Sequence, residues 1–326
     1  MVGYHPLKYE LSKFDHALAG GVSGIVTRSL TQPLDVIKIR FQLQTEPIAK
    51  TPTSKYKGLR QSFRKIIREE GFWSLWKGHV AVQSFSLIYG PIAFASFEFL
   101  TRQAWHYLPQ KMSKEYRPVT HFLCGSMSGC IASVACQPFD VIRTRLVAQG
   151  EPKIYNGIIH AARCMLAEGT LTFFKGMVPT LVQAAPYAGL QFGFYSLFKN
   201  IWNMAEHYAE EHGHHHTRYA GMLESLVCGS AAGIVGKGAV YPLDVVKKRL
   251  QIQGFEEARV SFGRVKRYNG LIHCVLCIVK DEGVIGLYKG LGPSLLKAAA
   301  VTGLSFFVYE QCCSLIVELK SGSDTD

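Results

Sequence analysis

Three cations stand in the middle of apolar stretches: Arg28 in GIVTRSL, Lys237 in GIVGKGAV and Lys297 in SLLKAAA. A charge at mid-bilayer depth costs roughly 2.5–3.5 kcal/mol on insertion scales, so such residues are candidates for function. Snorkelling to an interface is the ordinary alternative, and mid-helix positions disfavour it. Arg28 and Lys237 lie five residues before Pro33 and Pro242, and Ser133 holds the same place before Pro138.

Each proline also opens a second pattern. Asp35/Lys38, Asp140/Arg143 and Asp244/Lys247 place an acid and a base three residues apart, on one helix face. Proline lacks an N–H and strains the preceding turn, so the helix kinks just ahead of each pair. Ordinary surface pairs would not need a proline two residues earlier in all three copies. Two cysteine and histidine groupings read as structural. Cys274 and Cys277 beside His273 form a CxxC with no second pair, which suits a buried helix better than a metal or redox centre. His212, His214, His215 and His216 in EHGHHHTR read as a solvated loop, so no metal site is assigned.

The pairs recur because the chain does. QPLDVIKIR, QPFDVIRTR and YPLDVVKKR are followed by EGFWSLWKG from Glu70, EGTLTFFKG from Glu168 and EGVIGLYKG from Glu282. Each proline follows a glycine pair at GxxxG spacing: Gly20 and Gly24, Gly125 and Gly129, Gly229 and Gly233, a device for close helix packing. Each repeat holds two apolar segments long enough to cross a bilayer. They cover 15–42 and 79–107, 120–147 and 177–205, and 221–251 and 291–319. A polar stretch between them carries a short amphipathic helix, as in GLRQSFRKIIREE. The expected fold is therefore an all-α membrane protein, with six transmembrane helices in three tandem repeats: 1–115, 116–216 and 217–326.

Composition agrees. Hydrophobic residues make up 48% and charged residues 18%, yet mean hydropathy is only +0.09, as expected for helices that line a wet interior. The net charge of +12 suits an anionic partner. Of 36 Lys and Arg, 24 fall between Lys38 and Lys77, Arg143 and Lys175, or Lys247 and Lys289. That bias puts the three within-repeat loops on one side of the membrane and both termini on the other. The opening MVGYHPLKYELSKFDHA reads as neither a signal nor a transit peptide. An enzyme using Lys297 as nucleophile lacks a base and a cofactor fingerprint. A nucleic-acid binder is disfavoured because six apolar spans divide its basic residues.

The triplicated Pro-x-Asp-x-x-Lys/Arg-x-Lys/Arg motif, with its later Glu-Gly-x4-aromatic-Lys-Gly, resembles the mitochondrial solute carriers over roughly 14–315. DVIKIRFQLQ, PYAGLQFGFYS and GFEEARVSFGRVKRYNGL resemble the branch that carries thiamine pyrophosphate. The resemblance implies a monomeric inner-membrane transporter with no cofactor and a pseudo-threefold axis. Its within-repeat loops would lie in the matrix and its termini toward the intermembrane space. A matrix gate would pair Asp35 with Arg143, Asp140 with Lys247 and Asp244 with Lys38, braced by Gln42 and Gln251, while Val147 departs from the bracing glutamine. An opposite, cytoplasmic gate would use Glu98 with Lys199 and Thr101 with Glu310.

The resemblance further implies that the positions of Arg28, Ser133 and Lys237, and of Phe85, Gln183 and Lys297, face a central cavity. There Arg28, Lys237 and Lys297 would hold the diphosphate and Gln183 the pyrimidine edge. Tyr89 and Tyr187 would offer ring faces to the thiazolium. The corners at Gly58, Gly78, Gly157, Gly176, Gly270 and Gly290 would hold cardiolipin. Another phosphorylated solute, an adenine nucleotide or coenzyme A, is the alternative cargo.

Overall fold

The computed structural model describes residues 11–48, 54–107, 117–211, 220–255 and 266–323. Six long helices form: α1 (Lys13–Leu43), α3 (His79–Tyr107), α4 (Arg117–Ala148), α6 (Met177–Glu211), α7 (Ala220–Gln251) and α9 (Leu291–Ser323). Three short ones, α2 (Leu59–Glu70), α5 (Ile158–Glu168) and α8 (Leu271–Glu282), sit within the repeats. At about 1.5 Å per residue, even the 29-residue α3 exceeds the ~30 Å hydrocarbon core. The three-repeat, six-helix expectation is what the chain adopts.

Among the described residues, the stretches Phe72–His106, Val119–Ala148 and Val284–Lys320 qualify as spans by length and apolarity alone. The other long helices carry the polar faces. α1 holds Arg28, Asp35, Lys38 and Arg40, while α7 holds Lys237, Asp244 and the run Lys247–Arg249. Those charges dilute the mean without shortening the helix.

Within each repeat the first long helix (α1, α4, α7) is called odd and the second (α3, α6, α9) even. Each even helix packs antiparallel along the odd helix of the next repeat: α3 on α4, α6 on α7, and α9 back on α1. Glycine makes this possible at the loop end. Gly176 has φ +75°, and a Cβ there would lie 2.9 Å from the Lys247 carbonyl. Gly290, at φ +84°, would clash equally with the Lys38 carbonyl. The helices therefore start with their backbones pressed against the motif bases. The GxxxG glycines divide in use. Gly125 and Gly129 face Phe97 and Tyr89 of α3, whereas Gly20, Gly229 and Gly233 meet nothing within 4 Å, so packing accounts for only part of that pattern.

Candidate functional site

The three odd helices converge at the loop end, where the motif acids meet bases from the following repeat. Asp35 Oδ2 lies 2.5 Å from Arg143 Nη2, Asp140 Oδ2 lies 2.9 Å from Lys247 Nζ, and Asp244 Oδ2 lies 3.0 Å from Lys38 Nζ. The pairs close a ring around the axis. Lys38 also sits 5.7 Å over the Tyr241 ring.

The glutamines behave differently from one another. Gln251 donates to Asp140 at 2.8 Å and accepts from Thr144 and Lys248, so it does brace a pair. Gln42 does not touch the Lys38–Asp244 pair. It donates to the hydroxyl of Tyr241 at 3.1 Å, on the ring over which Lys38 sits. Lys248, not singled out from the sequence, adds a second cation to Asp140 at 2.8 Å. Adjacent bases in KKR gave no signal as to which would reach the acid.

The three mid-helix cations occupy distinct settings. Arg28 is half-buried and folds back over Gly24, where a Cβ would come within 3.2 Å of its Nη1. Lys237 donates to the Ser294 carbonyl of α9 at 3.2 Å. Lys297 does not point freely into a pocket: its Nζ lies 2.6 Å from Asp35 Oδ2. Gln183 likewise donates to Asp244 Oδ1 at 2.9 Å. Tyr89 stacks on Phe85 at 5.5 Å between centroids, and Tyr187 is half-buried on α6.

At the opposite end the expected pairs are not made. Glu98 bonds Arg102, one turn later on its own helix, at 2.6 Å. Thr101 Oγ1 is buried without a partner, so it does not bond Glu310. Of the remaining groupings, His212–His216 lies outside the described residues. Among the described residues no cluster of three or more metal-ligating side chains occurs. Burial pushes the Cys274 thiol up to about 12, which leaves it an inert core group.

A second ring escaped the sequence reading. Arg40, Arg145 and Arg249, the last base of each motif, are almost fully buried. Arg40 meets Glu70 at 2.5 Å, Arg145 meets Glu168 at 2.7 Å, and Arg249 meets Glu282. Each then donates to the end of the next repeat's odd helix or the segment just beyond it: Arg40 to the Val147 carbonyl, Arg145 to Gln253, Arg249 to Gln42. The residue before each proline adds a tie, with Gln32, Gln137 and Tyr241 donating to the carbonyls of Lys77, Lys175 and Lys289. The triplicate Glu and the polar residue ahead of each proline were the available signals.

Gly58, Gly157 and Gly270 cap α2, α5 and α8, while Gly78, Gly176 and Gly290 precede α3, α6 and α9. One groove of about 410 Å³ brings Gly78 and Gly157 into the same wall, beside Trp76, Lys77 and Tyr155.

The family described as "Mitochondrial carrier protein" matches residues 9–107, 114–206 and 219–320. The chain belongs to the mitochondrial carrier family. Among carriers of that family, it is 47% identical over 319 residues to the "Mitochondrial thiamine pyrophosphate carrier" of Homo sapiens, covering 97% of each chain. The Bos taurus protein of the same name is 46% identical over 324 residues, covering 98% of this chain and 99% of its own. The "Mitochondrial thiamine diphosphate carrier 2" of Zea mays is 38% identical over 308 residues, covering 90% and 91%.

Proposed function

We propose that this carrier moves thiamine pyrophosphate across the mitochondrial inner membrane by alternating access, and is not an enzyme. The observation that carries the reading is the full-length likeness to carriers named for that solute, at 47% identity. The site chemistry supports it. Arg28, Lys237 and Lys297 are cations suited to a diphosphate, Gln183 to a pyrimidine edge, and Tyr89 and Tyr187 to a thiazolium.

The ring of Asp35, Asp140 and Asp244 with Arg143, Lys247 and Lys38 acts as the matrix gate, with Gln251 as its brace. With that ring closed, and with Glu98 turned to Arg102 of its own helix, the cavity is open toward the intermembrane space, where both termini lie. Glu98, Thr101, Lys199 and Glu310 come together only when the carrier inverts. The carrier works as a monomer and needs no cofactor. Cardiolipin binds at the glycine corners, where the groove holding Gly78 and Gly157 presents two helix N-termini to one headgroup.

Proteoliposomes offered thiamine pyrophosphate, ADP, coenzyme A and thiamine in parallel decide the cargo. Uptake of thiamine pyrophosphate above the others is expected, whereas faster ADP or coenzyme A uptake would overturn the assignment.

A further inference from the structure

The residues seven after the glycines Gly78, Gly176 and Gly290 are Phe85, Gln183 and Lys297. Two of them hold gate carboxylates. Lys297 takes the same Asp35 oxygen that Arg143 holds at 2.5 Å. Gln183 takes Asp244 Oδ1 while Lys38 holds Oδ2 at 3.0 Å. Both contacts follow one geometric rule: an even helix reaches the acid of the odd helix along which it packs. By that rule Phe85 corresponds to Asp140, but it has no donor and stacks on Tyr89. The oxygens of Asp140 are taken instead by Lys247, Lys248 and Gln251.

We infer that Lys297 and Gln183 are latches, positioning residues that hold two of the three gate pairs shut until the solute claims them. The inference rests on the reading above, in which the same two side chains contact the solute. A diphosphate carries more negative charge than Asp35, so an entering solute draws the Lys297 ammonium, with its three N–H donors, toward itself, and solute and gate compete for Lys297. When the diphosphate wins, Asp35 keeps Arg143 alone and loses one charge-assisted hydrogen bond. The Asp35–Arg143 pair is then the first of the three to weaken. The Asp140 pair, with no donor on its even helix, is unlatched only as the others part. Binding energy is thereby converted into a lower barrier to opening, and only an anionic solute can draw off the lysine.

The test reads the empty carrier. A reporter from Ser133→Cys, at cavity level on α4, is labelled by an impermeant thiol reagent applied from the loop side, with the reporter-free protein as background. Lys297→Gln should raise labelling about tenfold or more without any solute, as loss of a charge-assisted bond implies, while Lys297→Arg should restore the low rate. Gln183→Ala should raise it less, since a neutral donor is lost. The Lys297→Gln effect should vanish in an Asp35→Asn background and persist in Asp244→Asn, with the converse for Gln183→Ala. Unchanged labelling in both variants, or a rise independent of which acid is removed, would overturn the latch. Thiamine pyrophosphate should also raise labelling in the parent with both latches intact, and thiamine should not. If the pyrophosphate fails while the variants respond, the cargo assignment falls and the latch stands.

Discussion

At the residue scale, the site is defined by which charge has which partner. Among the described residues no carboxylate pairs with Arg28, so it is the cation most available to an incoming anion. Arg28→Gln should reduce thiamine pyrophosphate uptake about ten- to a hundredfold and leave thiamine uptake nearly unchanged, measured side by side in liposomes. Gly24→Leu keeps the charge but fills the space over which the guanidinium folds. It should raise the apparent KM for thiamine pyrophosphate in the same direction as Arg28→Gln. Acids and bases inside apolar helices were legible in the sequence, because a buried charge is costly enough to be informative. Partner choice was legible only for the ring pairs, through the resemblance to the carriers. It was not legible for Lys297, Gln42 or Lys248. Their contacts depend on how far a flexible side chain reaches across a helix interface, and spacing does not encode that reach.

At the element scale, buried Arg–Glu pairs bolt each short helix to its kinked long one. Removing a single partner strands the other charge in the core, at a cost of about 3–5 kcal/mol. Glu70 and Glu282 are 3% and 7% exposed, whereas Glu168 is 32% exposed and water can take its place. Glu70→Ala and Glu282→Ala should therefore lower the melting temperature of the detergent-purified carrier more than Glu168→Ala. Equal losses would contradict that ranking. Gly176→Ala should also destabilise, since φ +75° costs an L-residue about 1–2 kcal/mol before the contact with the Lys247 carbonyl is counted. Long-helix positions were readable from the sequence because proline and glycine columns punctuate every repeat. The spans expected at 15–42 and 79–107 became Lys13–Leu43 and His79–Tyr107. The triplicate Glu hinted at the arginine ring, but its second set of bonds goes to backbone carbonyls, which carry no residue identity.

At the scale of the whole molecule, threefold architecture carries a site that is not threefold. Charge swaps should expose the difference. Exchanging Asp244 and Lys38 leaves only the neutral Gln183 beside the swapped cation among the donors that bond Asp244. Exchanging Asp35 and Arg143 sets a guanidinium against Lys297, and exchanging Asp140 and Lys247 sets an ammonium against Lys248. Transport should recover most in the Asp244/Lys38 double mutant relative to its single mutants, and least in the other two. The cyclic packing has a further consequence. α9 meets α1 through Lys320–Asp15 at 2.5 Å and Ser23 donating to the Ser305 carbonyl at 2.8 Å, in the same antiparallel manner as α3 on α4. Linear repeat arrays need special caps where the stack stops, but a stack that meets itself has no terminal layer. No repeat is intrinsically first. A permuted gene that fuses the present ends and opens the chain between α6 and α7 should still yield a working transporter, with the polypeptide simply entering the circle at a different door.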